Sequence, residues 1–224
     1  MITRARLLRV RPRLFHYTSV KAVPLIRSSG LWSTSELTRR TASQRDHDRI
    51  LRLRHRFEPL DVPGLGEIRI SHNSPMLRKD GSPKKTFMDS LRLGGTTPQE
   101  WSDLLSARIF FFGLRADPTK TGKSAPPANG YVQRVLPGGP VAELAVCTET
   151  LLELCESEGL VLETSWHNSG SAPRSPIPKN RDTWSPWHEF EGRVSDVVEF
   201  TVEVGLGRID RAIVGEPRRF STWP

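Results

Sequence analysis

The chain of 224 residues carries 33 Lys and Arg against 25 Asp and Glu, a formal net charge of +8, and its pI is near 10.1. Hydrophobic residues make up 36% and charged residues 26%. That balance excludes a disordered polyelectrolyte, and the lack of any run of 18 apolar residues argues against a membrane-spanning helix. The basic excess favours a polyanionic partner, and the two cysteines, Cys147 and Cys155, do not have metal-knuckle spacing.

The length suits one domain over residues 1–224, with no long linker to divide it. The opening MITRARLLRVRPR lacks the continuous apolar core of a secretory signal, so a reducing, cytoplasmic setting without membrane contact is expected. Arg4, Arg6, Arg9, Arg11 and Arg13 line either a strand with a basic face or a solvated basic tail. Leu14-Phe15 reads as a strand ending in His16-Tyr17-Thr18. A short helix follows, with Val20, Val23 and Ile26 on one face, Pro24 in its first turn and Gly30 as its stop. A strand that ends in polar side chains and turns into a helix N-terminus suits a phosphate or a ribose hydroxyl, although hydrogen-bonded structure explains the same residues.

Ser33 to Glu36 has the capping-box pattern of a helix start. The stretch to Phe57 is rich in arginine, with few apolar anchors, and reads as an exposed excursion. Glu67 to Ile70 alternates as a strand, and Ser74-Pro75-Met76-Leu77 reads as a turn followed by packing residues. Thr97-Pro98-Gln99-Glu100 starts a helix whose buried face is Trp101, Leu104 and Leu105. Arg108 to Phe112 is a strand apolar on both sides. Thr119 to Ser124 lacks the first glycine and the helix of a phosphate loop, so its lysines, Lys123 among them, belong to a surface loop.

Further along, strands are expected over 132–136, 141–146 and 160–164, and a helix over 148–158. Arg174, Lys179 and Arg181 fall in a basic loop after Asn168-Ser169-Gly170. Trp184 and Trp187 serve either as core anchors or for stacking on bases. In the last strand, 194–204, Glu199, Thr201 and Glu203 share one face, and Val198, Phe200 and Val202 the other. A glutamate there faces water on an edge strand, or is buried and needs a partner or a purpose.

His16-Tyr17-Thr18, the helix with Pro24 and then Gly30-Leu31 resemble the opening of DarT-type DNA ADP-ribosyltransferases. A bacterial family of unknown function shares that opening, and also has the tryptophan helix before an Arg-Ile-Phe-Phe strand and an Asn-Ser-Gly turn. Ser74-Pro75-Met76-Leu77 is similar to the DarT-type segment that walls the NAD pocket, and Val198-Glu199-Phe200-Thr201-Val202 to its glutamate-bearing strand. The resemblance implies an α+β ADP-ribosyltransferase-like fold of two small, mainly antiparallel sheets that form a cleft. It implies NAD as co-substrate, held by His16, Tyr17, Thr18, Ser74 and Met76, with Glu199 catalytic. An arginine of the exposed excursion, Arg54 or Arg52, would assist, and no metal is implied.

On this reading the enzyme modifies a nucleic-acid base, single-stranded DNA before RNA, with Arg45, Arg52, Lys123, Arg174, Lys179 and Arg181 meeting the strand. A toxin or defence role with a paired antitoxin follows from the same resemblance. The alternatives are an NAD-using enzyme of this fold acting on an RNA phosphate, a protein or a small molecule, and a basic binding module without turnover.

Overall fold

The computed structural model describes residues 1–40, 58–63, 66–70, 82, 84–120, 125–135, 140–167, 169 and 175–220. Among them, the chain forms an α+β fold around a seven-stranded sheet in which every pairing is antiparallel. The strands in chain order are β1 (Arg13–Ser19), β2 (Leu31–Trp32), β3 (Glu58–Val62), β4 (Gly66–Ile70), β5 (Arg108–Phe112), β6 (Val141–Cys147), β7 (Glu163–Ser165), β8 (Ser185–Pro186), β9 (Glu199–Glu203), β10 (Gly205–Leu206) and β11 (Arg218–Phe220). The large sheet runs β11-β6-β1-β5-β9-β7-β8; β10-β2 and β3-β4 form two-stranded sheets. The expected pair of small sheets is therefore replaced by one broad sheet with two short appendages.

Among the described residues, seven α-helices accompany these strands: α1 (Arg4–Val10), α2 (Val23–Ser29), α3 (Thr34–Arg39), α4 (Lys85–Gly94), α5 (Pro98–Ser106), α6 (Pro127–Val135) and α7 (Thr148–Ser157). Three starts follow the local chemistry. Pro24 lies in the first turn of α2, where a missing N–H costs nothing, and Gly30 ends that helix at φ 95°. The Ser33 hydroxyl accepts from the Glu36 amide to open α3. Thr97 and Glu100 cap one another reciprocally at α5.

One expected strand is a helix instead, and so is the stretch read as either a basic strand or a solvated tail. Arg4 to Val10 forms α1, capped by the Thr3 side chain and anchored by the buried Leu7. Burial of an apolar residue outweighs the arginine alternation that suggested a strand. Val132 lies within α6, buried against the sheet together with Ala128. Regular strand pairing on β9 begins at Glu199, because 194–196 form a 3₁₀ turn.

Side chains alternate across the sheet, so each face has its own core. One face joins Leu14, Leu144, Ile109, Phe111, Phe200 and Val202 to Leu7 of α1, Ile26 of α2 and Leu151, Leu152 and Cys155 of α7. The other is divided. Tyr17, Phe112, Val141 and Phe220 pack with Ala128 and Val132 of α6. Phe87, Leu91, Trp101 and Leu105 of α4 and α5 pack with Trp184. Full burial of each large side chain contributes about 2 kcal/mol.

Candidate functional site

Glu199 starts β9 and is paired with Phe112 of β5 on one side and Ser165 of β7 on the other. It is 2% exposed, so it is not the water-facing glutamate of an edge strand. Its Oε2 accepts both the backbone N–H of Ser169, at 3.0 Å, and the Ser169 hydroxyl, at 2.6 Å. Behind Ser169, the Lys179 ammonium donates to the Ser169 carbonyl at 2.8 Å. Lys179 has no exposed surface, and its Nζ lies 4.9 Å from the Trp101 ring centre.

Desolvation pushes the Glu199 carboxyl up to about 7, while the Ser169 bonds and the Lys179 charge hold it down. Desolvation likewise brings Lys179 down to about 8, against the attraction of Glu199. Two residues along β9 on the same face, the Thr201 hydroxyl is buried with no hydrogen-bond partner among the described residues, as are the indole nitrogens of Trp101 and Trp184.

His16 is also buried, at 8% exposure. Its Nδ1 donates to the Phe110 carbonyl at 2.9 Å, because a carbonyl only accepts; the neutral ring then keeps its lone pair on Nε2. Desolvation lowers this imidazole to about 4. Regular pairing of β1 with β5 is confined to Phe15 and Phe112, whereas β1 pairs with β6 along its whole length. The two central strands therefore part beyond Phe15, and the imidazole bonds the β5 backbone at the parting.

Phe15 and Glu199 face Phe112 from either side, two inter-strand steps or about 10 Å apart. Alternation then puts Glu199 on the face of Phe15, Tyr17 and Phe112. His16 goes to the face of Leu14 and Phe111, and its ring centre lies 5.8 Å from that of Phe111. The expected crevice with His16 and Glu199 on facing walls is thus not formed: the two side chains leave the sheet in opposite directions.

Tyr17 shares the Glu199 face but is committed to structure. Its hydroxyl donates to Glu143 at 2.8 Å and accepts from the Ala116 amide at 2.5 Å, and Glu143 also meets Arg115 at 2.7 Å. Burial and the Glu143 charge raise the phenol well above its ordinary range. Thr18 is half-buried next to His16. Ser74, Met76, Arg45, Arg52, Arg54, Lys123 and Arg174 lie outside the described residues.

Two of the expected nucleic-acid contacts have partners within the protein. Lys179 is interior and already bonded, so it offers nothing to a phosphate. Arg181 is half-exposed, but its guanidinium is bound to Glu163 at 2.8 Å and lies 3.5 Å from Glu203. Trp184 is a core anchor, stacked on Trp101 with ring centres 5.0 Å apart. Sequence reasoning missed Ser169, the inward Lys179 and the Arg108–Glu163–Glu203 network. For that network a signal existed: an arginine opening a strand as apolar as Arg108 to Phe112 requires buried carboxylate partners.

Among the described residues, no group of His, Cys, Asp and Glu is arranged to hold a metal ion, and no helix is long and apolar enough to cross a membrane. Comparison with curated proteins and with solved structures gives no match. One family model, described as a family of unknown function (DUF7002), matches residues 12–213. With that match spanning most of its length, the chain belongs to this family of unknown function.

Proposed function

We propose that this protein is an NAD-dependent ADP-ribosyltransferase that modifies a nucleic-acid base, DNA before RNA, with Glu199 as its catalytic carboxylate. The observation that carries the reading is the buried Glu199 itself. A carboxylate in a central strand is expensive to bury, and here dedicated donors keep it there at a pKa near neutrality. A carboxyl poised near pH 7 suits a general base. In the transfer, the bond from nicotinamide to the ribose anomeric carbon breaks, and nicotinamide leaves with the electron pair. A base nitrogen bonds to that carbon, and its proton passes to Glu199. The same carboxylate stabilises the developing oxocarbenium charge. The chain resembles DarT-type enzymes in its opening and in its glutamate-bearing strand, and its net charge of +8 suits a nucleic-acid substrate.

Since His16 leaves the other face of the sheet, the proposal rests on Glu199 and assigns His16 no contact with an NAD bound beside that carboxylate. Incubation with NAD and oligonucleotides of each base tests the proposal. Released nicotinamide with a matching mass gain on one oligonucleotide is expected, and both are abolished by Glu199→Gln. Turnover unchanged in that variant removes the assignment.

A second reading, a basic binding module without turnover, is favoured by one observation: the Glu199 carboxylate is buried and already bonded to Ser169. It predicts DNA binding that weakens with salt and no nicotinamide release with any oligonucleotide. A toxin role, NAD as co-substrate, a cytoplasmic site of action and a paired antitoxin belong to the first reading and stand or fall with it.

A further inference from the structure

The most unusual side chain on the Glu199 face, after Glu199 itself, is Lys179. Lysine is rarely buried completely unless it is paired. The extended segment that carries Lys179 is held against α4: the Ile177 amide donates to the Ser90 hydroxyl at 3.2 Å and the Lys179 amide to the Ser90 carbonyl at 3.1 Å. Pro176 and Pro178 flank Ile177 and restrict the backbone there. With the backbone fixed, the side chain runs inward over Trp101 to the Ser169 carbonyl. Ser169 in turn spends its N–H and its hydroxyl on Glu199 Oε2.

We propose that Lys179 is the positioning residue for Glu199: through the Ser169 carbonyl it fixes the residue that supplies both donors to the carboxylate, and its ammonium is the counter-charge behind them. The other charged groups around this face are occupied elsewhere. Arg108 of β5, Glu163 of β7, Glu203 of β9 and Arg181 are bonded to one another. Glu143 of β6 is bound to Tyr17 and Arg115. His16 of β1 is neutral and leaves the opposite face. Among the described residues, Lys179 is the charge that acts on Glu199. A charge and a hydrogen-bond relay that converge on one carboxylate set both where it points and when it titrates.

The catalytic part of this inference rests on the proposed function; the electrostatic part does not, and the test separates them. Glutamate carboxyl carbons are labelled with ¹³C and titrated by NMR, with the Glu199 signal assigned by its loss in Glu199→Gln. In Lys179→Met the Glu199 midpoint rises by about one pH unit or more, and Lys179→Arg returns it toward the starting value. Lys179→Gln retains a donor for the Ser169 carbonyl without the charge, and serves if the methionine variant does not fold. The reciprocal measurement needs no change at Lys179: in Glu199→Gln the Lys179 side chain titrates at lower pH than in the parent protein. A Glu199 midpoint that is unchanged without Lys179, or a Lys179 midpoint that is unchanged without Glu199, overturns the proposal. Where nicotinamide release is measurable, the acid limb of its pH profile moves up with the Glu199 midpoint and is restored by arginine. Coupled midpoints in a protein that never releases nicotinamide overturn the transferase reading and leave the pairing of Lys179 with Glu199 intact.

Discussion

Gly94, the last residue of α4, lies directly against the backbone of Lys179: a Cβ added at Gly94 would overlap the Lys179 carbonyl group and amide nitrogen. The end of a helix and the segment that reaches into the candidate site are packed backbone to backbone, and only glycine permits it.

Gly94→Ala is expected to destabilise the protein by about 2 kcal/mol, since the obstacle is backbone and cannot rotate away. Gly95 is a control. It has φ 66° and open space around its Cα, so Gly95→Ala costs only about 1 kcal/mol of backbone strain. Urea midpoints of the two variants measure the difference. Equal losses would show that the segment yields to the new methyl group.

Arg108 is held on three sides. It bonds the Leu104 carbonyl at 2.8 Å, Glu163 at 3.1 Å and Glu203 at 2.5 Å, and lies 4.0 Å over the Trp184 ring. Arg108→Met leaves the buried Glu163 with the half-exposed Arg181 as its remaining cation and is expected to cost about 3 kcal/mol, the low end for a broken buried pair. Glu203 is 42% exposed on its side chain, so Glu203→Gln should cost less than about 1 kcal/mol. Chemical denaturation of both variants checks the ranking.

Val204 has φ 69°, a left-handed conformation that a β-branched residue rarely accepts. It is held there because its N–H donates to the Ala107 carbonyl and its own carbonyl accepts from Ser33, which joins β9 to the β2–β10 pair. Asparagine tolerates this conformation, and Val204 is 40% exposed, so little packing is lost. Val204→Asn is expected to stabilise the protein by about 0.5–1 kcal/mol, visible as a raised thermal midpoint.

Two buried groups set opposing pH dependences. Glu199 titrates near 7 in the folded chain against an ordinary 4.5, so the native state holds the extra proton and the stability this contributes is lost as pH rises from 4.5 through 7. His16 titrates near 4 against an ordinary 6.5; its contribution is present above 6.5 and lost as pH falls through 4. Between pH 4.5 and 6.5 the two slopes offset one another. Glu199→Gln removes one of them, and stability should then rise with pH across that window by about 1 kcal/mol per unit. Stability curves collected from pH 4.5 to 6.5 decide it; identical slopes for parent and variant would show that Glu199 titrates at its ordinary position.

Local chemistry determined a good deal of this protein without the fold. The caps at Ser33 and Thr97, the stop at Gly30, the strand Arg108 to Phe112 and the sharing of one face by Glu199, Thr201 and Glu203 depend on neighbours within a few residues, and all are readable from the chain. Tertiary structure decided the rest. Burial of Leu7 made a helix of an arginine-rich alternation, and the β1–β5 register sent His16 and Glu199 to opposite faces. Packing against Ser90 and Gly94 turned Lys179 from a surface cation into a buried donor to the Ser169 carbonyl. Each of these depends on which distant backbone lies alongside. A one-residue change of register reverses every side chain, and nothing within a short window of sequence specifies it.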